Sequence, residues 1–455
     1  MIVAASSALR AQERSLVTAA QQEPRPLAIT NVTVIDVAAG ARLPNRTVIV
    51  EGNQITATGA AGAVPVPARA IRIDGAGKFL MPGLIDTHVH LALARNRDSL
   101  GAIGPLLAHG VTGVRDAGAG GQDAWLVALR DRVSRGEVLG PRMYVSGMVA
   151  GRTLARAGVD ATTLARQLVD LRVDGLKIRD GLKMDEIRAV LAVAAEARLP
   201  VYGHTYDAVN RDRDEVYTLE AIRAGVSGTM HVLGMPQLGG NERPTPPSRS
   251  RSEAWQQWWV YYATFWLHTD PAAEQALIDT MVARGAWLEP TLVTEDWVAN
   301  PDVYRDSWVV RHLPGSFAAA HEGFPALDGT AREQYRAAFA RMMDFVRRFH
   351  QAGGRLVAGT DCIPACGYGL NDELRLLVQA GLTPAAAVRA ATIDAARVLG
   401  WADQLGRVEK GLVADLVLLD ADPLQDIRNV SRVNAVVANG RLLDRKQLAL
   451  LAPRD

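Results

Sequence analysis

Between residues 81 and 400, short apolar runs alternate with amphipathic stretches, and they do so eight times. The runs are GLIDTHVH, GVTGVRDAG, RMYVSGMV, DGLKIRDG, PVYGHTYD, GTMHVLG, AWLEPTLV and GRLVAGTDC. Each is strand-like in length and bounded by Gly, Asp or Pro. Segments such as MDEIRAVLAVAAEARL and EQALIDTMVARG lie between them with apolar residues at helical spacing. Eight β/α units in series predict an α/β fold, a closed (β/α)8 TIM barrel rather than an open sheet. No sequence repeat accompanies the structural one.

The flanks read differently. LAITNVTVIDV, RTVIVEGNQITATG and RAIRIDGAGKFL in residues 27–80 are short strands separated by turn residues. The texture returns in ADLVLLDAD and VNAVVANGRLL, within 401–455. These two ends predict a small β-sandwich domain built from both termini, with residues 1–26 as a flexible N-terminal lead. The lead lacks a basic n-region and a long apolar h-region, so it does not read as a signal peptide. That fits a cytoplasmic chain, or a periplasmic or secreted one whose signal lies upstream. One insertion interrupts the barrel at about 241–270. There, after an exposed loop, Trp255, Trp258, Trp259, Tyr262 and Trp266 fall on one face of a helix. Such a face packs a core, or walls a pocket, or does both.

Composition excludes several classes of partner. Lys plus Arg number 50 and Asp plus Glu 49, for a formal net charge of +1, which gives no field for nucleic acid or an anionic membrane. No apolar run approaches the ~18–20 residues of a membrane span. Cys362 and Cys366 are too few for a disulfide framework or a closed zinc site, and leave free thiols or one local bridge open. The expected partner is a small-molecule substrate.

Active sites of β/α barrels form at the C-terminal ends of the strands. The first run ends in His88 and His90, which strand alternation points to one side. The fourth carries Lys177, the fifth His204, the sixth His231, and the eighth ends in Asp361. Imidazole nitrogen and carboxylate oxygen are the donors that zinc-like ions favour. Four imidazoles and a carboxylate exceed one tetrahedral ion and suit two ions sharing a bridge. An ammonium at Lys177 would repel metal. Burial lowers its pKa, and the neutral amine can add CO2 to give a carbamate, an anionic bidentate ligand able to bridge. The chain has only five lysines, at 78, 177, 183, 410 and 446, so one inside an apolar strand stands out. His109, His268, His312, His321 and His350 lie in helix- or loop-like surroundings and read as structural or surface residues.

The motifs resemble those of the amidohydrolase superfamily, in its branch of metal-dependent prolidase-like carboxypeptidases and imidazolonepropionase-like proteins. MPGLIDTHVHL, GVTGVRDAG, DGLKI and VAGTDC match its opening, second-strand, lysine and aspartate motifs. DELRLLVQAGLTPAAAVRAATIDAARVLG and GRVEKGLVADLVLLDADP match its C-terminal region, so the likeness covers nearly the whole chain. It implies a metal-dependent hydrolase with two divalent ions, zinc above all. His88, His90 and Asp361 would hold the more buried ion, and His204 and His231 the more exposed one. Lys177, as its carbamate, would bridge them together with a hydroxide nucleophile. Asp361 would be the catalytic base, then acid. The resemblance also implies a homo-oligomer. Some members hold one ion, and the mononuclear deaminases usually place a Glu near the fifth-strand His. VYGHTYDAVN offers Tyr206 and Asp207 but no Glu, which favours amide or ester hydrolysis over deamination or cyclic-amidine hydrolysis.

Substrate contacts are expected from Arg179, on the same side of its strand as Lys177, and from Tyr206. Arg179 could clamp a carboxylate in bidentate fashion or pair behind the ligands. Arg115 and Asp116 read as supports behind the ligands. The aromatic insertion suggests an apolar or aromatic group on the substrate, as in an N-acyl amino acid, a dipeptide, or an aryl amide or ester.

Overall fold

The computed structural model describes residues 25–93, 103–118, 121–179, 181–205, 218–235, 254–305, 327 and 329–451. Strand β1 (Leu27–Asp36) forms antiparallel pairs with β2 (Ala41–Glu51), which pairs in turn with β3 (Gln54–Ala60). The register of β1 slips between Ile29 and Val32 and again between Val32 and Val34, beside Asn31 at φ 57°. Bulges bend a strand and increase its twist. Along its other edge β1 therefore pairs first with β4 (Ile71–Asp74) and then with β5 (Phe79–Pro82).

Gly83 alone separates β5 from β6 (Leu84–Val89). A Cβ at Gly83 would lie 1.9 Å from Thr112 Oγ1, so only glycine lets the chain cross here. Strand β6 opens a second sheet. It continues through β7 (Val111–Asp116), β8 (Arg142–Val149), β9 (Gly175–Ile178), β10 (Val201–Gly203), β11 (Gly228–Met230), β12 (Trp287–Glu289) and β13 (Arg355–Leu356). These strands coincide with the eight apolar runs, and each pairs in parallel with the next in chain order. The sheet curls, giving a TIM-like architecture. Its first strand meets the segment after its last: Thr87 N–H donates to Ala358 O at 2.9 Å, and Asp361 N–H donates to His88 O at 2.9 Å.

Ile85, Tyr144, Tyr202 and Trp287 come from the first, third, fifth and seventh of these strands and belong to one buried cluster. Layers drawn from alternate strands are the packing pattern of such barrels. Ala395, Ala396 and Leu399, in and just after helix Ile393–Val398, join the same cluster.

The chain then returns to the first sheet through β14 (Leu416–Leu419), β15 (Val433–Ala438) and β16 (Arg441–Leu443). The sheet order is β16-β15-β14-β5-β1-β2-β3, with β4 on β1. The strands are linked by one continuous hydrogen-bond order, because bent β1 joins neighbours on both edges. Leu27, Ile29, Val48 and Leu80 share its core with Leu416, Leu418 and Val437, so both ends of the chain build it. Among the described residues no helix is long and apolar enough to cross a membrane.

Beneath the parallel sheet's rim, Glu373 on helix Gly369–Gln379 is wholly buried. One of its oxygens accepts the Val293 N–H at 2.8 Å, and the other has no partner among the described residues. Burial, with Glu289 and Asp86 nearby, pushes its carboxyl up to about 8. A carboxyl raised in the fold stabilises it fully below its unfolded pKa of ~4.3 and loses that contribution as pH rises through the folded value. The Tm of Glu373→Gln minus that of wild type is expected to grow from pH 5 to pH 8. A difference independent of pH would refute a neutral Glu373.

Candidate metal centre

The first strand ends with a distortion. The β6–β7 register shifts between Asp86 and Val89, which re-aims side chains at the rim. His88 Nε2, His90 Nε2 and Asp361 Oδ1 then form a triangle with sides of 3.3, 3.0 and 3.5 Å. Donors about 2.0–2.1 Å from a tetrahedral zinc ion lie about 3.3–3.4 Å from one another. The triangle therefore fits one face of such a coordination shell. His231 Nε2 faces the other carboxylate oxygen, Asp361 Oδ2, at 3.8 Å. The His204 ring packs edge-on against His231 at 4.7 Å between centroids. Lys177 Nζ lies 3.2 Å from His88 Nε2. The structure thus gathers all six residues marked out in the sequence as ligands. Three of them, His88, His231 and Asp361, each bring a ligand atom within 4.8 Å of the others.

The groups behind the rings fix which nitrogen faces inward. His88 Nδ1 lies 2.7 Å from Glu289 Oε1. A neutral His88 donates there and leaves the Nε2 lone pair toward the cluster. The Thr291 hydroxyl donates to Pro290 O at 2.7 Å and accepts from His231 Nδ1 at 2.7 Å, which frees His231 Nε2 in the same way. Glu289 also takes the Thr87 hydroxyl and the Arg115 guanidinium. Arg115 lies between the Tyr202 and Trp287 rings, at 4.4 and 4.6 Å. Asp116 accepts the N–H groups of Leu91 and Gly118 at 2.8 and 2.9 Å, holding the chain just past His90. Asp86 accepts the Thr360 hydroxyl at 2.7 Å and the His88 N–H at 3.0 Å, tying the two ligand-bearing segments together.

Electrostatics favour a metal-ready state. Burial, reinforced by Lys177, lowers His88 and His204 well below the usual imidazole range. Burial takes His231 down to about 4. Burial and the neighbouring Arg179 bring Lys177 down to about 7. Burial alone would raise Asp361, yet His88, His90 and His231 outweigh it and hold the carboxyl well below the usual range. Lone pairs on neutral imidazoles and an ionised carboxylate are what a divalent cation requires.

Arg179 sits one residue beyond β9, near enough to the cluster for its charge to lower Lys177, His204 and His231. Arg115 lies behind His88 through Glu289, and Asp116 holds the backbone just past His90. Tyr206 and Asp207 lie outside the described residues, as do His312 and His321 and the side chains of Trp255, Trp258 and Trp259. Trp266 is buried core. Its Nε1 donates to Leu233 O at 2.9 Å, and its ring meets Phe345. Cys362 and Cys366 form a local disulfide, and Cys362 Sγ accepts the His90 N–H at 3.3 Å. Sequence reasoning missed Glu289 and Thr291. The available signal was a carboxylate closing the otherwise apolar run AWLEP.

A curled parallel sheet with buried imidazoles and a carboxylate at its C-terminal rim defines the class of metal-dependent hydrolases built on a β/α barrel. The family model described as "Amidohydrolase family" matches residues 79–443, and the chain belongs to that family. It is a hydrolase acting on carbon–nitrogen bonds. The chain is 25% identical to an imidazolonepropionase of Mycolicibacterium smegmatis over 436 residues, covering 91% of this chain and 95% of that one. Among solved structures, a bottromycin amidohydrolase superposes with a TM-score of 0.69 at 23% identity, covering 97% of this chain and 92% of the other. A Xaa-Pro dipeptidase with bound methionine superposes with a TM-score of 0.66 at 19% identity, covering 92% and 100%.

Glu289→Gln keeps the shape of the buried carboxylate and removes its charge. Zinc affinity of the purified protein is expected to fall about 10–100-fold, the usual cost of losing such an orienting partner. Unchanged affinity would show that Glu289 does not orient His88.

Proposed function

We propose that this chain is a binuclear amidohydrolase that cleaves the amide bond of a peptide-like or N-acyl amino acid substrate bearing an apolar group. The observation that carries this reading is Lys177, buried with Nζ 3.2 Å from an imidazole nitrogen and brought down to about 7. Its ammonium form is poorly tolerated there. The neutral amine adds CO2, loses one proton and becomes an anionic carbamate able to reach two ligand sets. His88, His90 and Asp361 form one set, and His204 and His231 the other. Two divalent ions, zinc by the donor types, would acidify the attacking water and polarise the scissile carbonyl.

The remaining steps belong to the protein. Asp361 accepts the proton of the attacking water and returns it to the leaving nitrogen. Its ionised state, held by surrounding imidazoles, keeps it ready to do so. Arg179, one residue past β9 and close enough to lower Lys177, clamps the substrate carboxylate. Trp266 anchors the aromatic helix Ala254–Phe265 to Leu233, two residues beyond His231, which places that helix beside the rim and supports an apolar substrate group. Closure of the parallel sheet into a complete barrel, through the contacts of Thr87 and Asp361, belongs to the same reading.

The likeness to an imidazolonepropionase favours a second reading, one ion acting on a cyclic amidine or an amino-substituted ring. Metal content decides between them. Wild type is expected to carry about two ions per chain, and Lys177→Ala fewer, with partial restoration by a short-chain carboxylic acid. One ion per chain, unaffected by Lys177→Ala, would refute the bridged centre and favour the second reading. For the substrate, Arg179→Gln should raise KM at least tenfold for N-acyl amino acids, with a smaller change for their carboxamides. An equal change for both would remove Arg179 as the carboxylate clamp.

A further inference from the structure

The face opposite the metal centre carries a cleft of about 430 Å³. One wall is the β1–β2 turn, Val37 to Gly40. The other walls come from the barrel: Arg355 at the start of β13, His350 in the last turn of the long helix Gly329–Gln351 and Gly353 just after it, Arg389 on helix Pro384–Ala390, and Asp394 and Arg397 on helix Ile393–Val398. The cleft thus lies between the mixed sheet and the N-terminal ends of the parallel strands. Its size falls in the range of small-molecule sites, about 300–1,000 Å³.

The charges in it do not balance. Arg389 Nε donates to Asp394 Oδ2 at 2.8 Å, and Arg397 Nη1 donates to Asp394 Oδ1 at 2.7 Å. One carboxylate is thereby shared by two guanidiniums. The Arg355 guanidinium has no ion pair or hydrogen bond among the described residues, and Arg355 and Arg397 are exposed. Three guanidiniums and an imidazole face one acid. Guanidinium forks match the geometry of tetrahedral oxyanions and carboxylates. Beside this positive lining lie buried apolar side chains of Val37, Leu356 and Leu382. A bare surface patch of arginines would have no such apolar wall.

We propose that this cleft is a second binding site, for a small molecule with a dianionic phosphoryl head and an apolar body. Asp394 holds Arg389 and Arg397 in place, Arg355 supplies the unneutralised charge, and Val37, Leu356 and Leu382 take the apolar part. The metal centre, at the other end of the strands, takes no part in it.

The test is calorimetric titration of the metal-loaded enzyme with phenylphosphonate and, separately, with inorganic phosphate. Three proteins are compared: wild type, the double variant Arg355→Gln/Arg397→Gln, and His231→Asn. The double variant alters two exposed side chains, so its melting curve and amide hydrolysis should match wild type. His231→Asn reports binding at the metal centre. The expected result is a phenylphosphonate affinity at least tenfold weaker in the double variant, and within twofold of wild type in His231→Asn. Phenylphosphonate should also bind more tightly than phosphate, because only it reaches the apolar wall. Superimposable titrations of wild type and the double variant would overturn the proposal. So would loss of binding in His231→Asn, or phosphate binding as tightly as phenylphosphonate.

Discussion

A carboxylate with no access to water sits at the centre of this molecule. Glu289 is wholly buried, and burial raises its carboxyl above the usual range against the pull of Arg115. Arg115, His88 and Thr87 converge on it. The Arg115 guanidinium is itself wholly buried between Tyr202 and Trp287, and its Nε donates to Thr87 O at 2.7 Å. A buried pair of this kind adds little net stability. Removing either partner costs several times more, because the other charge is stranded. The pair therefore acts as a register pin. Strands β6, β7 and β12 must stand in one relation for the four groups to meet, and that relation also aims His88 Nε2 inward.

The rim departs from what stability alone would select. His231, Thr291, Asp361 and Cys362 all have positive φ, between 50° and 61°, although none is glycine. Each such residue costs ~1–3 kcal/mol and persists only where its surroundings over-determine it. Lys177 and Arg179 concentrate positive charge beside His88, His204 and His231, which burial has already made poor bases. A purely structural barrel would fill this layer with apolar and aromatic side chains, as it does one level down with Ile85, Tyr144, Tyr202 and Trp287. Strained backbone and frustrated charge at one rim are the mark of a site whose occupant supplies the missing stabilisation.

The candidate ligand residues were legible because each follows a local rule. Two histidines separated by one residue must share a side of a strand, and single His, Lys or Asp residues ending apolar runs must gather wherever strand ends gather. The eight runs were legible for the same reason, since parallel strands buried on both faces read as continuous apolar stretches. Glu289 was not legible. Its partner His88 is 201 residues away, and nothing local separates a buried carboxylate from a solvated one at a strand end. The strand order of the mixed sheet was not legible, because it turns on a pair of bulges in β1 that apolar alternation does not reveal. Trp266 shows the limit of helical periodicity. A one-sided aromatic stripe reports that a face is buried, not what buries it.

A net charge of +1 conceals two local fields separated by the length of the parallel strands. At the C-terminal ends, imidazoles are stripped of charge by burial and oriented by Glu289 and Thr291, leaving lone pairs that suit a cation. At the N-terminal ends, guanidiniums that cannot lose their protons outnumber the one acid among them and suit an anion. Histidine and arginine make this division possible, because burial neutralises the first and cannot neutralise the second. The same strand-and-helix repeat brings both sets together without either being visible in the charge total. Electrostatic function in such a chain has to be sought in how each end of the barrel treats a proton.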